Sequence, residues 1–272
     1  MIHFLSFASS NMAPTLHRIG KEARSSGFFD KVHLYTEKKL DWKFRRTHKK
    51  FFKEYPRGYG YWLWKPYLIS KIMREEMNDG DVLVYLDAGC EVHTTGRKRW
   101  NEYLKMLEQY SVIVYRQGLN TERMYTKNDI LSFFSVTNNY SLLDSRQLLA
   151  QIICRKDAFS THLIDYWYEI CERYKTTLLC DCPSVHKELD GFIENRHDQS
   201  LFSIICKIED EKVISQDDGD HIKVLDVSEI WNPDWSKMSD YPFWAKRNKI
   251  FAQPSIVARV IRKLKSTKII GS

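Results

Sequence analysis

A five-residue apolar run that stops at a carboxylate sets the strongest limit on this fold. Val82-Leu-Val-Tyr-Leu86 follows the turn-forming Asn78-Asp-Gly-Asp81 and ends at Asp87. A short run without polar alternation is buried on both faces, as the strands of parallel sheets are. The start of the chain points the same way. Residues 2–8 read as an apolar strand, 14–25 as a helix with Leu16, Ile19 and Ala23 on one face, and 31–35 as a second strand after the turn at Gly27. Strand, helix, strand opens a βαβ unit and predicts an α/β fold with a parallel sheet. In such sheets ligands collect at the carboxyl ends of the strands, so Asp87 stands where chemistry is expected.

Further along, residues 65–77 and 97–109 read as helices, 111–115 as a strand, 128–134 as helical, 150–155 as a strand and 157–174 as a long helix. Residues 178–195 form a loop rich in Cys, Asp and Pro, 197–207 a short helix, and 213–215 and 223–227 short strands. No repeat, low-complexity stretch or linker interrupts this order, and 272 residues suffice for one large core. The expected organisation is one domain over residues 1–240 and a tail over 241–272.

Charge sets the tail apart. The chain carries 42 Lys and Arg against 35 Asp and Glu, a net +7. Eight of the basic residues lie after Asp240, where no acidic residue occurs, which leaves 34 against 35 in the first 240 residues. A neutral body argues against a nucleic-acid binder with charge spread over its fold. One local exception spans residues 37–57, with nine basic and three acidic residues interleaved with Trp42, Phe44, Phe51, Phe52 and Tyr55. It reads either as a solvated helix face or as a surface for an anionic substrate. No apolar run approaches the roughly 18–20 residues that span a bilayer, and the opening residues read as a strand, not a signal peptide. The six cysteines are therefore expected as free thiols in a reducing cytoplasm; Cys180-Asp-Cys182 has no second pair at zinc spacing.

Three segments carry candidate chemistry. In Arg57-Gly-Tyr-Gly-Tyr-Trp-Leu-Trp-Lys-Pro-Tyr67, Lys65 stands among aromatics and, if buried, needs an anionic partner. A phosphate would serve, although Gly58-Tyr-Gly60 is too short for a phosphate loop or a dinucleotide fingerprint. The plainer reading is a helix start packed in the core. In Leu86-Asp-Ala-Gly-Cys-Glu91, an extended chain would point Asp87, Gly89 and Glu91 the same way. Two carboxylates so placed offer oxygen ligands to a hard cation together with a diphosphate; the plainer reading is a turn cap. In Glu194-Asn-Arg-His-Asp-Gln-Ser200, Asp198 is either a helix cap or a general base, with Glu194 the second choice. No Gly-x-Ser-x-Gly is present, Cys90 has no neighbouring base, and His93, His162, His186 and His221 lack partners at ligand spacing.

Tyr61-Trp-Leu-Trp-Lys-Pro66, the strand into Leu86-Asp-Ala-Gly-Cys-Glu91, and Asn195-Arg-His-Asp-Gln-Ser200, in this order, resemble bacterial GT-A glycosyltransferases of capsule and O-antigen gene clusters. The resemblance covers residues 2–231. It implies a Rossmann-like GT-A domain with a mostly parallel central sheet flanked by helices, and a nucleotide-sugar donor, expected to be UDP-linked. It further implies transfer to a glycan acceptor, often lipid-linked. By the resemblance Asp87 matches the first Asp of the Asp-x-Asp motif, which holds the donor's ribose and its metal–diphosphate, with Mn²⁺ or Mg²⁺ as the metal. Gly89 departs from the second Asp, so the metal would fall to Asp87 with Glu91, or the diphosphate charge to Lys65. Phe7, Ala8 and Ser9 match the seat of the nucleobase, on which Tyr35 would stack. Asp198 matches the late acidic position that is the base in inverting members. These residue types suit an inverting hexosyl transfer, with Asp87 and Lys65 serving the leaving diphosphate. A non-catalytic glycan- or membrane-binding module that keeps the fold is the alternative, and Gly89 is its best argument.

In the tail, residues 255–268 place Ile256, Val257, Val260, Ile261 and Leu264 on one helical face, flanked by Arg259, Arg262, Lys263 and Lys265. Such a helix either lies in an anionic leaflet or packs on the body with its basic face in water. The first reading puts the protein on the inner face of the cytoplasmic membrane, beside a lipid-linked acceptor and with no nucleic-acid partner.

Overall fold

The computed structural model describes residues 1–218 and 235–252, to which all counts below refer. The first βαβ unit forms as its pattern predicts: β1 (Ile2–Phe7), α1 (Ala13–Ser26) and β2 (Lys31–Tyr35). Pro14 in the first turn starts α1, and Gly27 ends it with φ 64°. With β3 (Val82–Tyr85), β5 (Val112–Thr121), β6 (Arg146–Arg155) and β7 (Val213–Gln216) the sheet has the order β2-β1-β3-β6-β5-β7. β1 is parallel to β2 and β3, β6 runs antiparallel between β3 and β5, and β7 is parallel to β5. Five strands thus share one direction, and the α/β expectation of a mostly parallel sheet flanked by helices holds. β6 is reversed because the chain turns back from β5 through three short helices without crossing the sheet, and Thr121 pairs with Arg146 at the turn.

Alternation along the strands feeds two cores. Leu83, Tyr85, Val112 and Val114 face α4 (Trp64–Glu75), α6 (Ala158–Arg173) and α7 (Asp198–Ile208). Val82, Val84, Ile113 and Tyr115 face α1 and α5 (Arg97–Met106). The basic stretch resolves the same way. Its helices α2 (Trp42–Thr47) and α3 (Lys49–Glu54) bury Phe44, Phe51 and Phe52 and leave most of their lysines and arginines in water. Phe44, Phe51 and Phe52 are therefore core, while Trp42 is 67 % exposed.

α7 matters most for the site, and both of its ends are pinned. Trp167 donates its indole N–H to the Asp198 carbonyl at 3.0 Å. At the other end Lys207 Nζ sits 2.6 Å from the fully buried Glu122 and also reaches Ser145 Oγ and the Arg146 carbonyl.

The tail does not begin as a separate part at residue 241. β8 (Phe243–Trp244) pairs antiparallel with β4 (Glu91–Val92), and residues 245–252 continue over the body. The expected strand at 223–227 and helix at 255–268 lie outside the described residues. The structure also corrects the free-thiol expectation at one pair: Cys180 and Cys182 are joined as a disulfide, while Cys90, Cys154, Cys171 and Cys206 are free and buried. No helix among the described residues is long and apolar enough to cross a membrane.

Candidate functional site

Lys65 is aimed by an unusual stretch of backbone. Gly58, Tyr59, Gly60, Tyr61 and Trp62 all have positive φ, from 49° to 79°, which makes one turn of left-handed helix directly before α4. Each non-glycine residue in that conformation costs roughly 1–2 kcal/mol, so the surroundings must hold it in place. The Gly60 and Tyr61 amides donate to the carbonyls of Tyr55 and Arg57 at 2.9 and 2.8 Å. Trp64 Nε1 donates back to the Gly58 carbonyl at 2.9 Å. Tyr59 stacks on Phe52, and Tyr61 on His197 at 4.4 Å between centroids. Strain retained this way concentrates at functional sites.

The turn delivers Lys65 under the carboxyl end of β3. Its ammonium lies 2.9 Å from Asp198 and 3.5 Å from Asp87. Tyr85 donates its hydroxyl to Asp87 at 2.7 Å, and Lys65 lies over the Tyr85 ring. The two carboxylates differ sharply in access: the Asp87 side chain is 49 % exposed and that of Asp198 only 3 %. Burial pushes Asp198 up to about 6, against the pull of Lys65, and Asp87 adds to the rise. Burial works against the charge on Lys65, but Asp198 and Asp87 outweigh it and raise its pKa. The result is a fixed ammonium–carboxylate pair beneath one open carboxylate.

The other expected residues separate. Phe7 is covered by Trp64 at 3.7 Å between rings, so it is core and offers no face to a base. Ala8 donates its amide to the Tyr35 carbonyl at 3.1 Å, and Ser9 Oγ donates to Asn11 at 2.6 Å. Ala8, Ser9 and Tyr35 therefore do sit together at the ligand end of β1 and β2. Glu194 lies on the rim, 46 % exposed, with Arg57 at 3.6 Å and Arg196 at 3.8 Å. Arg57 also holds Asp181 at 3.1 Å, and Asp181 lies 3.5 Å from His197 Nε2. His197 itself has φ 55°; burial lowers its pKa, and its Nδ1–H donates to the Leu179 carbonyl at 2.9 Å.

Asp87 and Glu91, the two residues expected to share a metal, sit in different surroundings. Residues 87–90 form a turn, closed by the Cys90 amide on the Asp87 carbonyl at 2.9 Å, so the period-two alternation fails there. Glu91 faces instead into a network in which Asn248 donates to Oε1 at 2.7 Å and His93 meets Oε2 at 3.0 Å. Among the described residues no group of three His, Cys, Asp or Glu side chains is placed to hold a metal ion. Of the two, Asp87 alone stands beside Lys65. Cys90 is buried and its thiol is pushed up, first by burial and then by Asp87, which makes it inert.

The strained turn and the role of Arg57 were missed from sequence, though two glycines at i and i+2 before Lys65 are a signal for left-handed backbone.

No family model matches the chain, and no curated protein matches it. Among solved structures, similarity is found to a glycosyltransferase involved in the glycosylation of the major capsid of PBCV-1, 8 % identical, covering 89 % of this chain and 92 % of that one, with a TM-score of 0.47. Mouse xyloside xylosyltransferase 1, in its apo form, is 13 % identical over 90 % of this chain and 84 % of its own, with a TM-score of 0.45. Mannose-6-phosphate isomerase from Helicobacter pylori is 9 % identical over 65 % and 80 %, with a TM-score of 0.34. With every TM-score below 0.5, these likenesses assign no activity to this chain.

Proposed function

We propose that this protein is a glycosyltransferase that moves a sugar from a nucleotide-sugar donor to a hydroxyl of a glycan acceptor. The observation that supports this best is the open Asp87 carboxylate over the fixed Lys65–Asp198 pair, at the carboxyl ends of parallel strands where such sheets take ligands. Asp87 serves the donor's ribose and diphosphate end, and Ala8, Ser9 and Tyr35 line the side where the nucleobase lies. The donor is UDP-linked and the acceptor a lipid-linked glycan of surface polysaccharide assembly, met at the cytoplasmic face of the membrane. These finer assignments rest on the resemblance of the three sequence segments.

The geometry changes the division of labour between the acidic residues. Asp198 is covered and paired, which suits a residue that holds Lys65 in place. Glu194, half in water, is the better candidate to take the acceptor's proton in an inverting transfer. Turnover of a panel of nucleotide-sugars tests the reading. Asp87→Ala should abolish turnover, and Glu194→Gln should lower kcat by roughly 10²–10⁴-fold. Retention of anomeric configuration, read by NMR, would remove the base from Glu194 and Asp198 alike. Ligand binding without turnover of any donor would favour a binding module instead.

A further inference from the structure

Residues 245–252 cross the ligand end of the sheet as a strap. Asn248 donates its amide to the Gly89 carbonyl at 2.8 Å and its side chain to Glu91 at 2.7 Å. Arg18 Nη2 ties the Asn248 carbonyl, at 3.2 Å, to those of Ala88 and Cys90 at 2.9 and 2.8 Å. The Ile250 amide donates to Thr15 Oγ1 at 2.7 Å, Thr15 Oγ1 donates to the Ile250 carbonyl at 2.8 Å, and the Ala252 amide donates to the Asn11 carbonyl at 2.7 Å. The strap therefore stitches the loop after β1 and the start of α1 to the loop after β3, which carries the open carboxylate.

Gly89 is its closest approach. A Cβ there would meet the Arg247 Cα at 3.3 Å and its carbonyl carbon at 3.5 Å. Where the resemblance places a second acidic residue, strap backbone fills the space, and the strap carries Arg247. This arginine is exposed, has φ 55°, and takes part in no ion pair among the described residues. Its charge bears on Arg196, whose guanidinium lies 3.9 Å from the Tyr125 ring centroid and 3.8 Å from Glu194. Arg196 is two residues from Asp198, the partner of Lys65, and Arg247 packs its backbone on Gly89, two residues from Asp87. Two guanidinium groups that repel one another there, neither bound tightly to a carboxylate, call for an anion with several oxygens.

We propose that the strap is part of the donor site, and that Arg247, with Arg196 and Lys65, takes the diphosphate in the place where a second carboxylate and its metal would otherwise stand. This inference rests on the glycosyltransferase reading and assigns the cation of that site. Gly89 then lets the strap backbone lie close against the loop after β3 and is no sign of a decayed motif. As the glycosyl C–O bond breaks, its electron pair leaves on the β-phosphate oxygen, where the fixed cations meet the added charge. The acceptor oxygen forms the new C–O bond and gives its proton to Glu194.

Calorimetric titration of UDP, CDP, GDP, ADP and dTDP into the full chain, in EDTA and then with Mn²⁺, tests it. One diphosphate should bind with affinities that agree within about twofold in the two conditions, and Arg247→Ala should weaken it about tenfold or more. Arg247→Lys should recover part of the loss, and thermal melting of both variants should match the wild type because the side chain is exposed. Binding that needs Mn²⁺, or that survives Arg247→Ala unchanged, overturns the inference and leaves the glycosyltransferase reading standing. Failure of every diphosphate in both conditions overturns the two together.

Discussion

Lys65 lies between a buried and an open carboxylate, and the buried one can be followed by titration. Asp198 is held up to about 6 because burial outweighs Lys65, so its carboxyl ¹³C signal should titrate near that pH. Lys65→Met removes a cation that lowers this pKa and should move the titration upward; an unchanged or lower midpoint would show that the pair does not exist in solution. The sign for stability follows. A carboxyl whose folded pKa lies above its ordinary 3.8 is easiest to bury when protonated, so its contribution is complete below that value and is lost as pH rises to about 6. Asp198→Asn, neutral throughout, should flatten that part of the profile in urea melts. At this scale the sequence was informative about identity and weak about role. A lysine among aromatics announced a buried charge, but only the fold could show which acid lies under it and which lies open.

Among the elements, the left-handed turn at Gly58–Trp62 carries the most testable strain. Gly60 combines φ 79° with a neighbour: a Cβ there would meet the Phe52 ring at 2.4 Å. Gly80 has φ 87° and nothing within 4 Å. Gly60→Ala should therefore lower Tm beyond Gly80→Ala, by at least about 2 °C more, since overpacking adds roughly 1–3 kcal/mol to the shared backbone cost. Equal shifts would mean that the turn relaxes freely. Strands β1, β2, β3 and β7 and helices α1 and α6 were legible because their apolar periodicity is long or uninterrupted. The turn, the two short helices that flank the expected one at Asn128–Phe133, and the break after Asp87 were not. Their conformations come from tertiary contacts, such as Tyr61 on His197 and Arg18 on the Ala88 carbonyl, that no local pattern encodes.

At the scale of the whole molecule, the excess charge divides into parts. Most of the lysines and arginines of residues 37–57 lie on the solvent face of α2 and α3, while Lys246 and Arg247 belong to the strap and its neighbourhood. Residues 253–272 hold the remaining cluster, and the membrane reading belongs to them. Flotation with anionic liposomes should recover the full chain and lose the chain cut after Ala252; equal recovery would place any membrane contact elsewhere. The strap also gives the protein a history. Asn11, Thr15, Arg18 and Gly89 all precede it in the chain, so during synthesis every anchor is waiting before Arg247 emerges. On the proposal made above, a nascent chain can place Lys65, Asp87 and Asp198 yet still lack its last cation, and gains donor affinity only once residue 252 has left the ribosome.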